Sequence, residues 1–202
     1  MEQRILRRDA LDVFHGEGQF ALQIEHFKEC YNYDRDSNFT LLDVGGGVGY
    51  FVLALQQEFP NMRATILDLD ESAISKAKSN GLDAVVGSVL KPPPSIHLQK
   101  FDIVCFNEVL HHIIAASDRN TCKLQQLALL RAKGLASQAG SIFINELCYE
   151  GKVFSDSSSA IIFHLLTNPL LSKIVASISA FVPSLKANTV GVGIRFRPYG
   201  GW

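Results

Sequence analysis

The sequence lacks the features that mark a metal-binding, disulfide-stabilised or nucleic-acid-binding protein. Its four cysteines are widely separated and form no C-x-x-C pair, so neither a zinc site nor a disulfide framework is predicted. Lysine and arginine number 19 against 20 acidic residues, and only Arg4–Arg8 forms a basic cluster. Phosphate contacts need clustered basic side chains, and base stacking needs interleaved aromatic ones, so a nucleic-acid substrate is disfavoured.

Long hydrophobic runs are also scarce. The amino terminus lacks the apolar core of a signal peptide, and the apolar stretch 160–181 is interrupted by His164, Asn168, Pro169 and Lys173. We therefore expect no integral membrane segment and a cytoplasmic location. The apolar stretch predicts two short helices, broken near Pro169, which either pack in the core or form a substrate lid or partner surface.

A glycine-rich turn between a strand and a helix is the most informative feature of the sequence. Thr40–Val44 is short, apolar and β-prone, and Tyr50–Phe59 has apolar residues at helical spacing. Between them lie Gly45, Gly47 and Gly49, and glycine permits both positive φ and close approach of a ligand to the backbone. Ligands of open α/β sheets bind at such strand ends, so a nucleotide-binding turn is predicted.

The spacing of the glycines indicates which kind of nucleotide ligand the turn binds. A dinucleotide-binding G-x-G-x-x-G pattern would need a small residue at position 50 or 52, and these positions hold Tyr50 and Val52. Asp43, two residues before the first glycine, suits a cationic ligand with an amino acid moiety better than a pyrophosphate. Residues 43–49 resemble motif I, D-x-G-x-G-x-G, of the class I S-adenosylmethionine-dependent methyltransferases.

Acidic and polar residues follow the next two predicted strands. Ala64–Leu67 ends at Asp68, whose carboxylate can accept hydrogen bonds from both ribose hydroxyls, while Asp70 is expected to cap the next helix. The alternative is that these acids are solvated cap residues. Ser88 follows Asp83–Val86, at the place where the resemblance implies an acid against the adenine amino group. A serine hydroxyl can make this bond without charge assistance.

The fourth predicted strand, Phe101–Phe106, carries a second match to the family. It is followed by Asn107 and Glu108, which the resemblance implies as neighbours of the methionine part of the cofactor, and then by Val109–His112. In small-molecule O-methyltransferases that the chain resembles, this turn contains the histidine that removes the substrate hydroxyl proton. Aligning the two turns assigns that role to His111.

Two interpretations of His111 remain open, because family members also carry a histidine here that only packs beneath the site. Histidine suits proton removal because its unperturbed pKa lies near working pH. The fifth predicted strand, Ser141–Ile144, ends at Asn145 and Glu146. The resemblance implies that Glu146 orients His111, and the alternative is that Glu146 caps or pairs at the strand end.

The pattern of five strands, each followed by helical or loop sequence, predicts one α/β domain with a Rossmann-like parallel sheet and helices on both faces. Residues 1–38 are expected to form leading helices, including Gln19–Tyr31, residues 39–150 the cofactor-binding core, and residues 151–202 a helical lid or partner region. Strands six and seven of the family fold are expected to be missing or incomplete. A homo-oligomer or a partner chain would then cover the sheet edge.

The sequence predicts an S-adenosylmethionine-dependent methyltransferase that acts on a small-molecule acceptor. No N-P-P-Y-like motif follows the fourth strand, which argues against amide or exocyclic amine methylation, so oxygen is narrowly preferred as the acceptor atom. The alternative is a module that keeps the fold and binds a cofactor or partner without turnover. No feature of the sequence identifies the acceptor.

Overall fold

A computed structural model describes residues 20–148, 156–181 and 194–198, together with Gln3. Contacts divide the chain into two compact units. The sheet unit comprises residues 20–109 and 128–146, and the described parts of the helical unit are residues 110–127, 147–148, 156–181 and 194–198. The expectation of a single domain stays a prediction.

The sheet unit contains five strands that are parallel throughout and run in the order β3-β2-β1-β4-β5. This order confirms the predicted Rossmann-like α/β fold, and it places β1 at the centre of the sheet. All strand carboxyl ends therefore lie along one edge, which includes the glycine-rich turn. The strands are β1 Thr40–Val44, β2 Arg63–Asp68, β3 Asp83–Val86, β4 Phe101–Asn107 and β5 Ala136–Asn145.

Seven α-helices and one short 3₁₀ helix are described. The predicted cap is confirmed, because the Asp70 carboxylate accepts the backbone N–H of Ser72 at 2.8 Å. The predicted break in the apolar stretch is also confirmed, since one helix ends before Asn168 and the next begins at Pro169. The helices are α1 Ala21–Cys30, α2 Tyr50–Glu58, α3 Glu71–Ser79, α4 Pro94–His97, α5 Asp118–Leu135, α6 Ser157–Thr167 and α7 Pro169–Phe181, with the 3₁₀ helix at Leu110–His112.

Aromatic side chains pack α1 against the sheet. Phe27 is fully buried, and its ring lies 5.2 Å from that of Phe143 on β5 and 5.8 Å from that of Phe59. The Tyr31 hydroxyl is 2.9 Å from Oγ of Ser141, also on β5. These contacts hold α1 against β5, so its polar residues have a fixed position relative to the strand ends.

Strand β5 begins earlier than its apolar segment indicates. Ser141–Ile144 was the predicted strand, whereas pairing with β4 starts at Ala136 and is interrupted by a register shift between Phe101 and Ile103. Residues 136–140 show no alternation of apolar and polar side chains that would predict a strand. The prediction about strands six and seven concerns residues that lie partly outside the described ones.

None of the described helices is by itself long and apolar enough to cross a membrane. Ser157–Thr167 and Pro169–Ile178, which are bent by 93° relative to each other, meet the length and composition requirements for a broken span only as a pair.

Candidate functional site

The turn after β1 has a backbone that only glycine fits. Gly45, Gly47 and Gly49 have φ angles of 73°, 55° and 86°, in the left-handed region that other residues rarely adopt. A Cβ atom at Gly45 would collide with Val109, and one at Gly49 would collide with Leu82. The side chains of Val109 and Leu82 therefore take the space that a Cβ atom at Gly45 or Gly49 would need, and both positions require glycine.

Asp43 lies at the end of β1 with its carboxyl group buried beside this turn. Its side chain is 1% exposed, and neither oxygen receives a hydrogen bond of normal geometry from a described residue. Burial raises the pKa of Asp43 to about 7, an effect that the neighbouring Cys105 thiol partly offsets and the Asp68 carboxylate reinforces. A buried carboxyl without a donor at a glycine turn fits a ligand that brings a cation or an N–H donor.

Asp68, at the end of β2, forms a hydrogen bond with the backbone of the turn. Its Oδ2 accepts the backbone N–H of Gly47 at 2.9 Å, and its Oδ1 accepts that of Asp70 at 2.8 Å. Burial raises the pKa of Asp68, although both backbone bonds act in the opposite direction. Each carboxylate oxygen keeps a further lone pair, so the group can also accept from ligand hydroxyls.

The other predicted cofactor neighbours lie in the same unit. Ser88 is half-buried, and its hydroxyl oxygen accepts the backbone N–H of Leu90 at 3.2 Å. Asn107 ends β4, and its Oδ1 accepts Nδ2–H of Asn145 at 2.9 Å. Together with the turn, these residues follow the carboxyl ends of adjacent strands.

A polar group whose assembly the sequence does not reveal lies along the ends of β4 and β5, where Gln23 and His26 of α1 join it. Glu108 has a φ of 54°, its N–H donates to the carbonyl oxygen of Asn145 at 2.7 Å, and Nε2 of Gln23 donates to its Oε1 at 3.1 Å. Nδ1 of His26 lies 3.3 Å from Oδ1 of Asn145. Gln23 and His26 are three residues apart on α1, which places both on one helix face. That spacing is the only sequence signal for the pair.

The predicted base and its predicted partner lie in different units. His111 belongs to the 3₁₀ helix of the helical unit, is 6% exposed, and packs its ring 4.8 Å from that of Phe196. Its carbonyl oxygen accepts the backbone N–H of Arg195 at 2.9 Å. Glu146 directly follows β5 in the sheet unit and is half-buried. A pairing of His111 with Glu146 stays a prediction.

The buried guanidinium of Arg195 pairs with two partly exposed carboxylates and holds the segment that packs against His111. The Arg195 side chain is 0% exposed, with Nε donating to Asp118 at 2.7 Å and its NH1 group donating to Asp156 at 2.8 Å.

Burial, and secondarily the charge of His111, lowers the pKa of His112 to about 3, so His112 is neutral at pH 7. Among the described residues, no group of three His, Cys, Asp or Glu side chains could hold a metal ion.

A comparison with protein-family models gives the family of the chain. A family model described as a methyltransferase domain matches residues 35–174. The chain belongs to this methyltransferase family. The match includes the glycine turn, all five strands and both helices of the apolar stretch up to residue 174, and it confirms the class I methyltransferase resemblance of motif I.

Individual relatives differ in the acceptor that their names state. Norreticuline-7-O-methyltransferase of Papaver somniferum is 29% identical over 126 residues, which cover 62% of this chain and 32% of that protein. A release factor glutamine methyltransferase of Enterococcus faecalis is 32% identical over 89 residues, covering 41% of this chain and 31% of that protein. The chain thus matches about a third of the length of these relatives.

Solved structures support the fold. A crystal structure of coclaurine N-methyltransferase bound to N-methylheliamine and SAH superposes with a TM-score of 0.56 at 14% identity, covering 74% of this chain and 47% of that chain. At this identity the likeness concerns the fold alone.

Proposed function

We propose that the chain binds S-adenosylmethionine and transfers its methyl group to a small-molecule acceptor. The observation that carries the proposal is the buried Asp43 carboxyl, which receives no hydrogen bond of normal geometry from a described residue and lies beside a turn whose glycines have positive φ. A ligand with a cationic amino acid part and a flat nucleoside suits both features. When bound, S-adenosylmethionine supplies an electrophilic methyl group on a positively charged sulfur.

Each residue at the strand ends takes one part of this ligand. The backbone of Gly45, Gly47 and Gly49 lies against it, close to the amino terminus of α2, and Asp43 faces its amino acid part. Asp68 accepts from the ribose hydroxyls with its remaining lone pairs. The remaining contacts are those of Ser88 with the adenine and of Asn107 with the methionine portion.

Oxygen is our preferred acceptor atom. No N-P-P-Y-like motif follows β4, and a relative matching 62% of the chain is named as an O-methyltransferase. In this proposal His111 receives the hydroxyl proton and Glu146 orients His111. A positioned base contributes roughly 10²- to 10⁴-fold in rate, whereas alignment of the two reacting groups contributes about 7–11 kcal/mol. Alignment is therefore the larger effect.

Calorimetric titration with S-adenosylmethionine and S-adenosylhomocysteine tests the cofactor site. We expect wild-type protein to bind both, and Asp43→Ala and Asp68→Ala to weaken binding at least tenfold, since each removes a charged hydrogen-bonding group worth about 1.5–3 kcal/mol. Asp70→Ala is the matched control because it removes a neighbouring carboxylate that caps α3. Equal affinity in all four folded proteins would contradict the proposed site.

A second candidate function is a cofactor-binding module without turnover. Ser88 favours it, because this residue replaces the acid that the resemblance implies and removes charge assistance from one cofactor bond. Protein that binds S-adenosylmethionine and forms no S-adenosylhomocysteine with a broad panel of phenols, alcohols and amines would support the module. Product formation with any of them would support the enzyme.

A further inference from the structure

We propose that His26 is a substrate-binding residue, whose Nε2 accepts a hydrogen bond from a hydroxyl group of the acceptor. The inference rests on the proposed function and specifies its acceptor as a small molecule with two neighbouring hydroxyl groups. It follows from the hydrogen bonds of α1, β4 and β5, all within the sheet unit.

The tautomer of His26 is set by two asparagines. Nδ2 of Asn145 donates to Oδ1 of Asn107 at 2.9 Å, so the other end of the Asn145 amide, Oδ1, is the atom that faces His26. An amide oxygen only accepts, and therefore Nδ1 of His26 carries the proton at this 3.3 Å contact. In neutral His26 the lone pair then resides on Nε2.

Nε2 of His26 is available to a ligand. The residue is exposed, and no described residue forms a hydrogen bond with this nitrogen. The aromatic anchor of α1 at Phe27, next to His26 in the sequence, holds this part of the helix near the end of β5, where Nδ1 of His26 contacts Asn145. Such a fixed hydrogen-bond acceptor discriminates among ligands better than a mobile surface side chain.

His26 also lies within reach of the cofactor turn. Val44 pairs with Phe106 and Asn107 pairs with Asn145, so Gly45, Asn107 and Asn145 stand side by side on adjacent strands. Neighbouring strands are about 4.8 Å apart, which puts Asn145 about 10 Å from the turn. An acceptor that contacts His26 would thus lie about two strand spacings from a cofactor bound at the turn.

Gln23 provides a second hydrogen-bond acceptor on the same helix face. Its Nε2 donates to Oε1 of Glu108, and its own Oε1 is buried and has no donor among the described residues. Side chains three residues apart on a helix have Cβ atoms about 5–6 Å apart. Two neighbouring hydroxyl groups on one ligand would satisfy Oε1 of Gln23 and Nε2 of His26 together.

The first arm of the test measures the tautomer by ¹⁵N NMR of the full chain, with the His26 signals assigned from their loss in His26→Gln. We expect neutral His26 to carry its proton on Nδ1, against the usual preference of histidine in water, and to return to that preference in Asn145→Leu. His97, an exposed histidine on α4, is the internal control. Wild-type His26 with its proton on Nε2 would overturn the proposal.

The second arm titrates catechol into protein saturated with S-adenosylhomocysteine. We expect the Nε2 signal of His26 to shift while that of His97 stays fixed, and Gln23→Leu to weaken catechol binding roughly fivefold through the loss of one hydrogen bond. No movement of His26 up to the solubility limit of catechol overturns this inference alone. Failure of wild-type protein to bind S-adenosylhomocysteine removes the proposed function, and this inference with it.

Discussion

At the residue scale, Gly49 and Gly134 form a matched pair for testing the turn. Gly49→Ala places a side chain at a φ of 86° and against Leu82, whereas a Cβ at Gly134 meets no atom within 4 Å. We expect Gly49→Ala to lower the free energy of unfolding by at least about 1–3 kcal/mol and to abolish binding of S-adenosylhomocysteine. Gly134→Ala should raise the free energy of unfolding by about 0.5–1 kcal/mol, because alanine favours the helical conformation more than glycine does. Urea denaturation and calorimetry measure both, and equal losses of stability would contradict this account of the turn.

The buried Asp43 carboxyl makes stability depend on pH. Its pKa rises from 3.8 to about 7 on folding, so the folded state binds more protons between these values and its free energy of unfolding falls as pH rises. At 1.36 kcal/mol for each pKa unit, the loss reaches about 4 kcal/mol above pH 7. Asp43→Asn should remove this part of the slope.

Urea denaturation of cofactor-free protein at pH 4.5 and pH 7.5 measures the Asp43 effect. Asp102→Asn is the control, because it removes a carboxylate on another strand that accepts hydrogen bonds from the backbone and hydroxyl of Thr40. If wild type and Asp43→Asn lose the same free energy between the two pH values, Asp43 does not titrate as described.

Residues that follow a strand within one short motif were predictable from sequence. Asp43, the glycines and Asp68 each lie at or next to the end of an apolar run, so their place at the carboxyl edge of the sheet follows from the motif, whereas their contacts with a cofactor stay a prediction. His26 was not predictable, since its role depends on a contact with Asn145, 119 residues away. Whether His111 acts as a base also stays a prediction, because the turn motif does not determine what the His111 side chain faces.

At the element scale, the position of α1 depends on one aromatic anchor. Phe27 is 0% exposed, so Phe27→Ala should cost about 3–5 kcal/mol of stability through lost burial and the cavity that remains. Leu22→Ala on the same helix, where the side chain is 67% exposed, is the control and should stay within about 0.5 kcal/mol. Thermal or urea denaturation measures the difference, and similar costs for the two variants would show that α1 is not anchored through Phe27.

Element boundaries were predictable where composition changes sharply. The Asp70 cap and the break at Pro169 follow from local backbone chemistry, which acts within a few residues. The start of β5 at Ala136 was missed, because its first residues pair with β4 without an apolar pattern of their own. Tertiary pairing overrides local propensity there.

At the scale of the whole molecule, the alternation of strands and helices, together with motif I, was sufficient to predict the parallel sheet. The division into two units was not predictable, since it results from contacts between segments far apart in sequence, such as Arg195 with Asp118. The proposed cofactor side of the site is encoded in contiguous motifs. The proposed acceptor side combines α1 with the ends of β4 and β5, and its prediction requires the assembled fold.

The central place of β1 in an all-parallel sheet also has a kinetic consequence. No two neighbouring strands are joined by a hairpin, and β1 pairs with β4, about sixty residues further along the chain. Such long-range contacts must close large loops before they gain any pairing energy, which slows folding. The chain should therefore refold slowly for its length, and the glycine turn at the end of β1 should acquire its ligand-binding shape only after both neighbouring strands have docked.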